Sequence, residues 1–341
     1  MPAHFLLEAP IGLVPVLLFL AVLLYFDSYR LISLNEMILT LAAGLLAAGA
    51  GYFVNGALLG ATGLPFDRYT YFVSPVVEEL LKAAILIVMF ARNRVGFMID
   101  AAIMGFSVGT GFAVFENIYY LYVLQDAGDL GTWIVRGFGT AIMHGGTTAI
   151  FAMLTQSLIE RRGRSALYLF LPGLILAVVI HAIFNALEGT PAVAMLAAMV
   201  GLPPMFYFIF TKNEFAVHQW LVKDYASHEQ LLEEINNGEF THSEAGRFIL
   251  SLTNKFDKKV VDHMFEYLKL HTQLVLRAEQ ITLAREKNEK IERRQQDHDD
   301  LVRLEELERL IGSTAMMALW PHLHFSRREL WEIHHLHEAA A

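Results

Sequence analysis

The sequence predicts an all-α protein: a polytopic membrane helix bundle of about seven spans, followed by a soluble helical domain. Hydropathy is the first basis, since 55% of the 341 residues are hydrophobic and the mean hydropathy is +0.42, which is too apolar for an ordinary soluble protein. The second is charge, since residues 212–341 contain 17 of the 26 lysines and arginines and 23 of the 35 acidic residues. We therefore expect a membrane domain over 1–211 and a polar domain over 212–341.

Seven apolar stretches have the length of about 20 residues that a helix needs to cross a bilayer. They are 9–26, 37–59, 71–91, 98–124, 134–158, 167–187 and 191–211. The first has no basic region before it and no convincing small-residue cleavage site after it, so we interpret it as a retained span and not a signal peptide. The glycine pairs Gly56/Gly60 and Gly105/Gly109 have the spacing that lets helices approach closely in lipid.

Basic residues alternate between the loops and predict the orientation of the chain. The loops on one side contain most of them: Arg30, Arg92, Arg94, Arg161, Arg162, Arg164 and Lys212. The other side has Arg68 and, just inside a span, Arg136. Because basic loops face the cytoplasm, we expect the N-terminus outside and the C-terminal domain in the cytoplasm.

Ionisable side chains interrupt four of the apolar stretches. The third contains Glu78, Glu79 and Lys82, and the next three contain Glu116, His144 and His181. Such groups are costly inside a membrane, so they usually face a bundle interior and mark a functional site. In the predicted topology the two histidines, Glu78 and Glu116 all lie roughly 9–15 Å below the outer face, at 1.5 Å rise per residue. These matched depths predict one shared site in the outer half of the membrane.

The acidic pair of the third span allows two interpretations. Glu78 and Glu79 are four and three residues from Lys82, so either can pair with it on the helix surface. A buried ion pair that stabilises the bundle is the simpler interpretation. Only one carboxylate is needed for that pair, however, and a second one held inside a bundle suits the role of a general base.

Glu116, His144 and His181 match the ligand set of a catalytic zinc site, which uses three protein ligands and keeps a position for water. The alternative for each histidine is an interior hydrogen-bonded side chain, and no HExxH helix is present to decide. Cysteine is absent, so any metal ligand must be an imidazole, a carboxylate or an amide. Asn185, one turn after His181, could donate to a developing oxyanion or orient the histidine.

Three neighbouring residues have simpler expected roles. Asn117 is expected to form a helix–helix hydrogen bond, and Phe112 is expected to be a packing residue. Arg136 lies two turns before His144, and it either anchors its span at the membrane interface or belongs to the site.

Motifs on successive spans resemble those of one known family, the PrsW family of intramembrane metalloproteases. Glu78–Lys82 (EELLK) resembles its EExxK motif, Phe112–Asn117 (FAVFEN) its FxxxEN motif, and His181–Asn185 (HAIFN) its HxxxN motif. His144, which follows Arg136, fits the family's histidine on the intervening span. The motifs occur in the family order, and the resemblance covers roughly residues 70–190.

The resemblance implies an intramembrane endopeptidase that cuts membrane-associated proteins near the outer face of a bacterial cytoplasmic membrane. Members of the family are associated with cleavage of anti-sigma factors in signalling. The implied catalytic set is Glu78, Glu79, Lys82 and Asn185. The implied zinc ligands are Glu116, His144 and His181.

Two mechanisms use the same residues. In one, the three ligands hold zinc and a glutamate takes a proton from the bound water; in the other, a glutamate activates water without metal while His144 and His181 orient the groups. The related CAAX prenyl endopeptidases carry histidine in place of Glu116, and their first glutamate is the one associated with catalysis. We therefore favour Glu78 over Glu79 as the base.

Two other classes of protein compete with a peptidase. A proton- or ion-coupled transporter also buries Glu, His and Lys at membrane depth, but the sequence shows no internal repeat and its polar groups lie off-centre. A non-catalytic scaffold of the same fold becomes less favoured because every catalytic-type position is filled. A formal charge of −9 argues against nucleic acid as a partner.

The C-terminal domain is expected to be a helical, coiled-coil-like bundle with a regulatory role or a role in homo-oligomerisation. Apolar residues recur through its dense charge at positions that include Leu268, Val275, Leu301, Leu304 and Leu307. We expect these side chains to form its core.

Overall fold

The computed structural model describes residues 3–27, 32–124, 129–162, 166–187, 190–287 and 294–323, together with Glu289, Glu329, Trp331, Ile333 and Leu336. The chain is 90% helical, and the described residues contain no strand. The predicted all-α class is therefore confirmed. Two of the basic residues that entered the orientation prediction, Arg30 and Arg164, lie outside the described residues.

The chain forms two compact units, Met1–Glu214 and Phe215–Ala341. Among the described residues, eight α-helices lie wholly in the first unit: α1 Ala3–Tyr25, α2 Leu34–Thr62, α3 Phe66–Phe72, α4 Ser74–Ala91, α5 Met98–Leu124, α6 Leu130–Val135, α7 Ala141–Arg162 and α8 Leu171–Ala186. Helix α9, Pro191–Asn236, begins in the first unit and ends in the second.

Five segments of the described residues are long and apolar enough to cross a membrane. They are Glu8–Tyr25, Leu34–Thr62, Met98–Val123, Leu167–Ala186 and Pro191–Thr211. The other two predicted stretches fall on α4 and on α6–α7. Helix α4 has 18 residues but carries three charged side chains, and α7 contains many polar residues, most of them buried. Polarity, and not length, therefore separates these two helices from the five.

Helix α5 is the centre of the first unit, and it packs against α1, α2 and α7. Glycines permit the closest approaches. A Cβ at Gly109 would lie 2.2 Å from the carbonyl oxygen of His144, and one at Gly105 would lie 2.8 Å from the Cα of Ala149. The packing role predicted for Gly105 and Gly109 is thus confirmed.

The packing role predicted for Gly56 and Gly60 is wrong. Among the described residues, no atom lies within 4 Å of a Cβ built at either position. Both glycines are exposed on α2. The four-residue spacing of these two glycines therefore does not correspond to a contact between described helices.

Local signals fix several helix ends. Helix α2 begins with a capping box between Ser33 and Glu36 and ends at Gly63, which has φ +62°. Pro75 lies in the first turn of α4, where a missing N–H is tolerated. A π-helical turn, Arg136–Thr140, joins α6 to α7, and such turns are frequent at functional sites.

Polar contacts also fix the opposite end of the bundle. Arg94 pairs with Glu36 at 3.3 Å, which ties the α4–α5 loop to α2. The Asp100 carboxylate accepts hydrogen bonds from the backbone N–H groups of Gly96 and Phe97, at 2.9 and 3.0 Å, where α5 begins. These contacts position the start of the central helix.

The second unit contains α10 Glu244–Ser251, α11 Lys258–Glu286, α12 Gln295–Ile311 and α13 Ser313–Leu323, besides the end of α9. Its core includes Leu268, Leu301, Leu304 and Leu307, and Val275 is also fully buried. The expectation that these apolar residues are buried is confirmed. A partly buried polar pair joins α9 to α11, with His228 Nδ1 at 3.0 Å from Glu279 Oε1.

Candidate active site

The site lies where several helices of the first unit begin or end. Glu78 is in the first two turns of α4, and Glu116 is in the last three turns of α5. His144 is in the first turn of α7, directly after the π-helical turn, and His181 is near the end of α8. Four helices, α4, α5, α7 and α8, thus place their polar side chains at one end of the bundle.

Glu78 is held through one of its two carboxylate oxygens. Oε1 accepts hydrogen bonds from Ser74 Oγ and, at 3.3 Å, from Asn55 Nδ2. Asn55 is itself fixed, because Tyr69 donates its hydroxyl proton to Asn55 Oδ1 at 2.9 Å. The second oxygen, Oε2, lies 3.8 Å from His181 Nε2, and the side chain is 15% exposed. Glu78 therefore keeps one oxygen available to the space around it.

Glu79 is in a closed environment, with a side chain only 2% exposed. Its Oε1 lies 2.6 Å from Lys82 Nζ, 2.8 Å from His181 Nδ1 and 3.3 Å from Thr147 Oγ1. A carboxylate only accepts, so His181 donates its Nδ1 proton to Glu79, and its Nε2 faces Glu78. Glu79 thus orients the histidine and balances the lysine charge.

Lys82 is fully buried and connects the acidic pair to His144. Its Nζ is 3.2 Å from His144 Nδ1 and lies over the Phe112 ring, 4.9 Å from the centroid. An ammonium group only donates, so Nδ1 accepts and His144 Nε2 carries the proton. Phe112, expected only to pack, also supplies an aromatic face to this cation.

Glu116 is engaged at both oxygens. His144 Nε2 donates to Oε2 at 2.8 Å, and Arg136 Nη2 donates to Oε1 at 2.9 Å. Arg136 also donates to Asn117 Oδ1 at 3.0 Å and stacks on Tyr120 at 3.7 Å. Arg136 is thus a member of the site, which was one of the two interpretations of the sequence.

Asn117 and Asn185 tie the site to its surroundings. Asn117 Nδ2 donates to the carbonyl of Gly12 on α1 at 2.7 Å, so its predicted helix–helix hydrogen bond is confirmed. Asn185 Nδ2 donates to the carbonyl of Thr70 at 3.0 Å, which joins α8 to α3. Asn185 also lines the cavity in front of the site, and its predicted catalytic role stays a prediction.

Two cavities meet at Glu78. The main cavity has a volume of about 700 Å³ and is bordered by Glu78, Glu116, Arg136, His144 and His181. A second cavity of about 320 Å³ lies between α2, α3, α4 and α5, and it is also bordered by Glu78 and Glu116. Both volumes are in the range of small-ligand sites.

Sequence reasoning missed Asn55, Ser74 and Tyr69. All three serve Glu78, and Asn55 lies 23 residues before it on another helix. The single signal was a lone asparagine inside the apolar run of α2. Such a residue in a membrane helix needs a hydrogen-bond partner, but its sequence position does not say which.

A metal ion has a compatible donor set here. Glu78, His144 and His181 each offer one ligand atom, and these atoms lie within 4.8 Å of one another. Two imidazoles and a carboxylate are the ligand types of catalytic zinc sites. Glu116 is not in this group; the structure places its carboxylate on His144 and Arg136.

Comparison with known proteins adds one finding. Residues 33–211, just over half of the chain, match the family model described as PrsW family intramembrane metalloprotease. The matched range contains every residue of the site described above. No curated protein and no solved structure matches the chain.

Proposed function

Because the chain belongs to the PrsW family of intramembrane metalloproteases, we propose that it hydrolyses peptide bonds of membrane-associated proteins and that Glu78 activates the attacking water. Anti-sigma factors are one candidate substrate class. The proposal includes seven spans, with α4 and α7 crossing the bilayer beside the five apolar helices. It places the N-terminus outside, the second unit in the cytoplasm and the site near the outer face.

The difference between Glu78 and Glu79 is the observation that carries the proposal. Glu79 is closed in by Lys82, His181 and Thr147. Glu78 borders both cavities, and its Oε2 accepts no hydrogen bond from a described residue and lies 3.8 Å from His181 Nε2. A general base must be within reach of the proton that it removes, and Glu78 meets this requirement.

The proposed chemistry begins with a water between Glu78 Oε2 and His181 Nε2. These two atoms are 3.8 Å apart, too far for a direct hydrogen bond, and in the proposed reaction His181 Nε2 acts as an acceptor. Glu78 removes one proton while His181 accepts a hydrogen bond from the other, and the water oxygen attacks the substrate carbonyl carbon. Glu78 then passes its proton to the amide nitrogen as the C–N bond breaks. Arg136 and Asn185 border the main cavity as donors for the developing oxyanion.

Zinc fits this donor set by its chemistry, and His144 and His181 would hold it together with Glu78 or Glu116. When bound, zinc supplies a Lewis acid and lowers the pKa of a bound water to about 7. Lys82 and Glu79 support the histidines in either case. His181 donates one ring N–H to the Glu79 carboxylate, as the histidine ligands of metal sites usually do. Both ring nitrogens of His144 are already engaged, by Lys82 and Glu116, so zinc would displace one of these two contacts.

The test is cleavage of a membrane-anchored peptide library by the purified protein in lipid vesicles. Glu78→Gln is expected to lower kcat by about 10²–10⁴-fold, the usual contribution of a general base. Glu160→Gln is the matched control, because this carboxylate lies near the end of α7, away from the site. Unchanged cleavage by Glu78→Gln would overturn the assignment of the base, and full cleavage by His181→Ala would remove that residue from the site.

A further inference from the structure

The second cavity, here called the side chamber, is an aromatic space that opens directly onto the site. Its walls include Tyr52, Tyr69, Phe115 and Tyr119, and the α2 face that borders it carries small residues such as Gly51 and Gly56. Of the sixteen described residues that line it, seven are aromatic. Among the described residues of this lining, none is basic, and two are acidic, Glu78 and Glu116. Large apolar or aromatic groups are therefore the chemistry that fits it.

The side chamber and the main cavity are adjacent, because some residues line both. Ser74, Glu78, Glu116 and Tyr120 line both. A peptide that places its scissile carbonyl at the free oxygen of Glu78 thus has the side chamber next to the reacting bond. This continuity distinguishes the chamber from an apolar groove elsewhere on the bundle.

Gly56, a glycine of α2 that borders the side chamber, also indicates that space in the chamber is kept open. A glycine inside a helix costs about 1 kcal/mol relative to alanine. Gly56 neither allows a close helix contact nor forms a turn, since a Cβ there meets no described atom within 4 Å. Its missing side chain instead leaves the chamber open.

We propose that the side chamber is the specificity subsite of this protein and holds one large apolar or aromatic side chain of the substrate, adjacent to the scissile bond. The inference rests on the proposed peptidase function and adds the substrate class to it. A substrate with a small residue at that position would leave the chamber empty, and one with an acidic residue would bury its charge against Glu78 and Glu116.

The test compares Gly56→Leu with Gly60→Leu, which is one turn away and borders neither cavity. Neither leucine Cβ meets a described atom, so both variants are expected to fold. The substrates are membrane-anchored peptides that differ only in having Phe or Ala beside the cut. The wild type and Gly60→Leu are expected to favour Phe by at least about tenfold in kcat/KM. Gly56→Leu is expected to lose this preference, and a preference that Gly56→Leu retains would overturn the subsite.

A binding measurement separates this inference from the proposed function. In a Glu78→Gln background, a peptide with benzoylphenylalanine beside the cut is photo-crosslinked in vesicles, and the adduct is located by mass spectrometry. Adducts on Tyr52 or Tyr119 that disappear with Gly56→Leu and persist with Gly60→Leu support the subsite. Adducts that lie elsewhere, or that survive Gly56→Leu, overturn it. Chamber adducts without cleavage by the wild type would overturn the peptidase function and leave the binding site standing.

Discussion

Glu78 and Glu79 are neighbours in sequence, yet their side chains have opposite surroundings. One helical residue step rotates a side chain by about 100°, so Glu79 points into the bundle and Glu78 toward the cavities. Glu79 meets a lysine, a threonine and a histidine at 2.6–3.3 Å. Glu78 accepts hydrogen bonds from two neutral donors at Oε1, and its Oε2 lies 3.8 Å from His181 Nε2. At the scale of single residues, this asymmetry is the basis for the proposed roles: support for Glu79 and proton transfer for Glu78.

Asn55 and Ser74 are expected to position Glu78 for its reaction. Asn55→Leu or Ser74→Ala should lower kcat by about 10–100-fold, since hydrogen bonds to charged groups contribute about 1.5–3 kcal/mol. KM should change less than kcat, because both residues border the side chamber but act on the reaction through Glu78. Ser74→Thr keeps the hydroxyl and should retain most of the rate. A raised KM with unchanged kcat, measured by steady-state cleavage in vesicles, would contradict the positioning role.

We expect substitutions of the candidate metal ligands to lower the affinity for Zn²⁺ by different amounts. His181→Ala should lower the affinity for Zn²⁺ the most, because the free Nε2 is lost. Glu116→Gln should weaken it by about 10–100-fold, the usual effect of a group that orients a ligand, here His144. Glu78→Gln should weaken it more than Glu116→Gln, since Glu78 belongs to the cluster of ligand atoms.

The ranking is measured by equilibrium dialysis of the purified protein against buffered Zn²⁺, with Glu160→Gln as control. The reverse order of the two glutamates would identify Glu116 as the direct ligand. That outcome would agree with the ligand set that the motif resemblance implied.

At the scale of helices, the contact between α5 and α7 determines where His144 lies. The backbone of α7 reaches α5 at Gly109, where a Cβ would be 2.2 Å from the His144 carbonyl oxygen. The π-helical turn before α7 then directs Arg136 to Glu116. Small residues and an altered helical turn thus set the register of one helix against another.

Gly109→Ala is expected to separate α5 from α7 and to lower both the Tm and kcat. Overpacking of a dense interior usually costs about 1–3 kcal/mol. Gly60→Ala is the matched control, because its Cβ meets no described atom and alanine favours the helix. Thermal unfolding in detergent and cleavage in vesicles check both variants. Equal Tm values for the two would refute a close α5–α7 contact.

At the scale of the whole molecule, apolar runs predicted the helices well because hydropathy reports burial in lipid directly. The glycine pairs show the limit of such patterns. Gly105 and Gly109 pack as expected, whereas Gly56 and Gly60 face open space, although both pairs have the same spacing. The partners of Asn55 and Arg136 were also beyond the sequence, because they depend on how helices cross in three dimensions.

The charges of the site sum to a small and constant value. With neutral histidines, three carboxylates (Glu78, Glu79 and Glu116) oppose two cations, Lys82 and Arg136, which leaves one net negative charge. In the proposed reaction a proton leaves water, rests on Glu78 and departs with the amine. Every charge that forms is therefore compensated within the same few ångströms.

Catalysis should consequently be electrically silent. Moving one elementary charge across the membrane is worth about 2.3 kcal/mol per 100 mV, so a proton- or ion-coupled transporter with these residues would respond strongly to voltage. For this protein we expect the cleavage rate in vesicles to change less than about twofold between zero and a 100 mV potassium diffusion potential. A steep voltage dependence would mean that the buried charges serve transport across the bilayer and not hydrolysis within it.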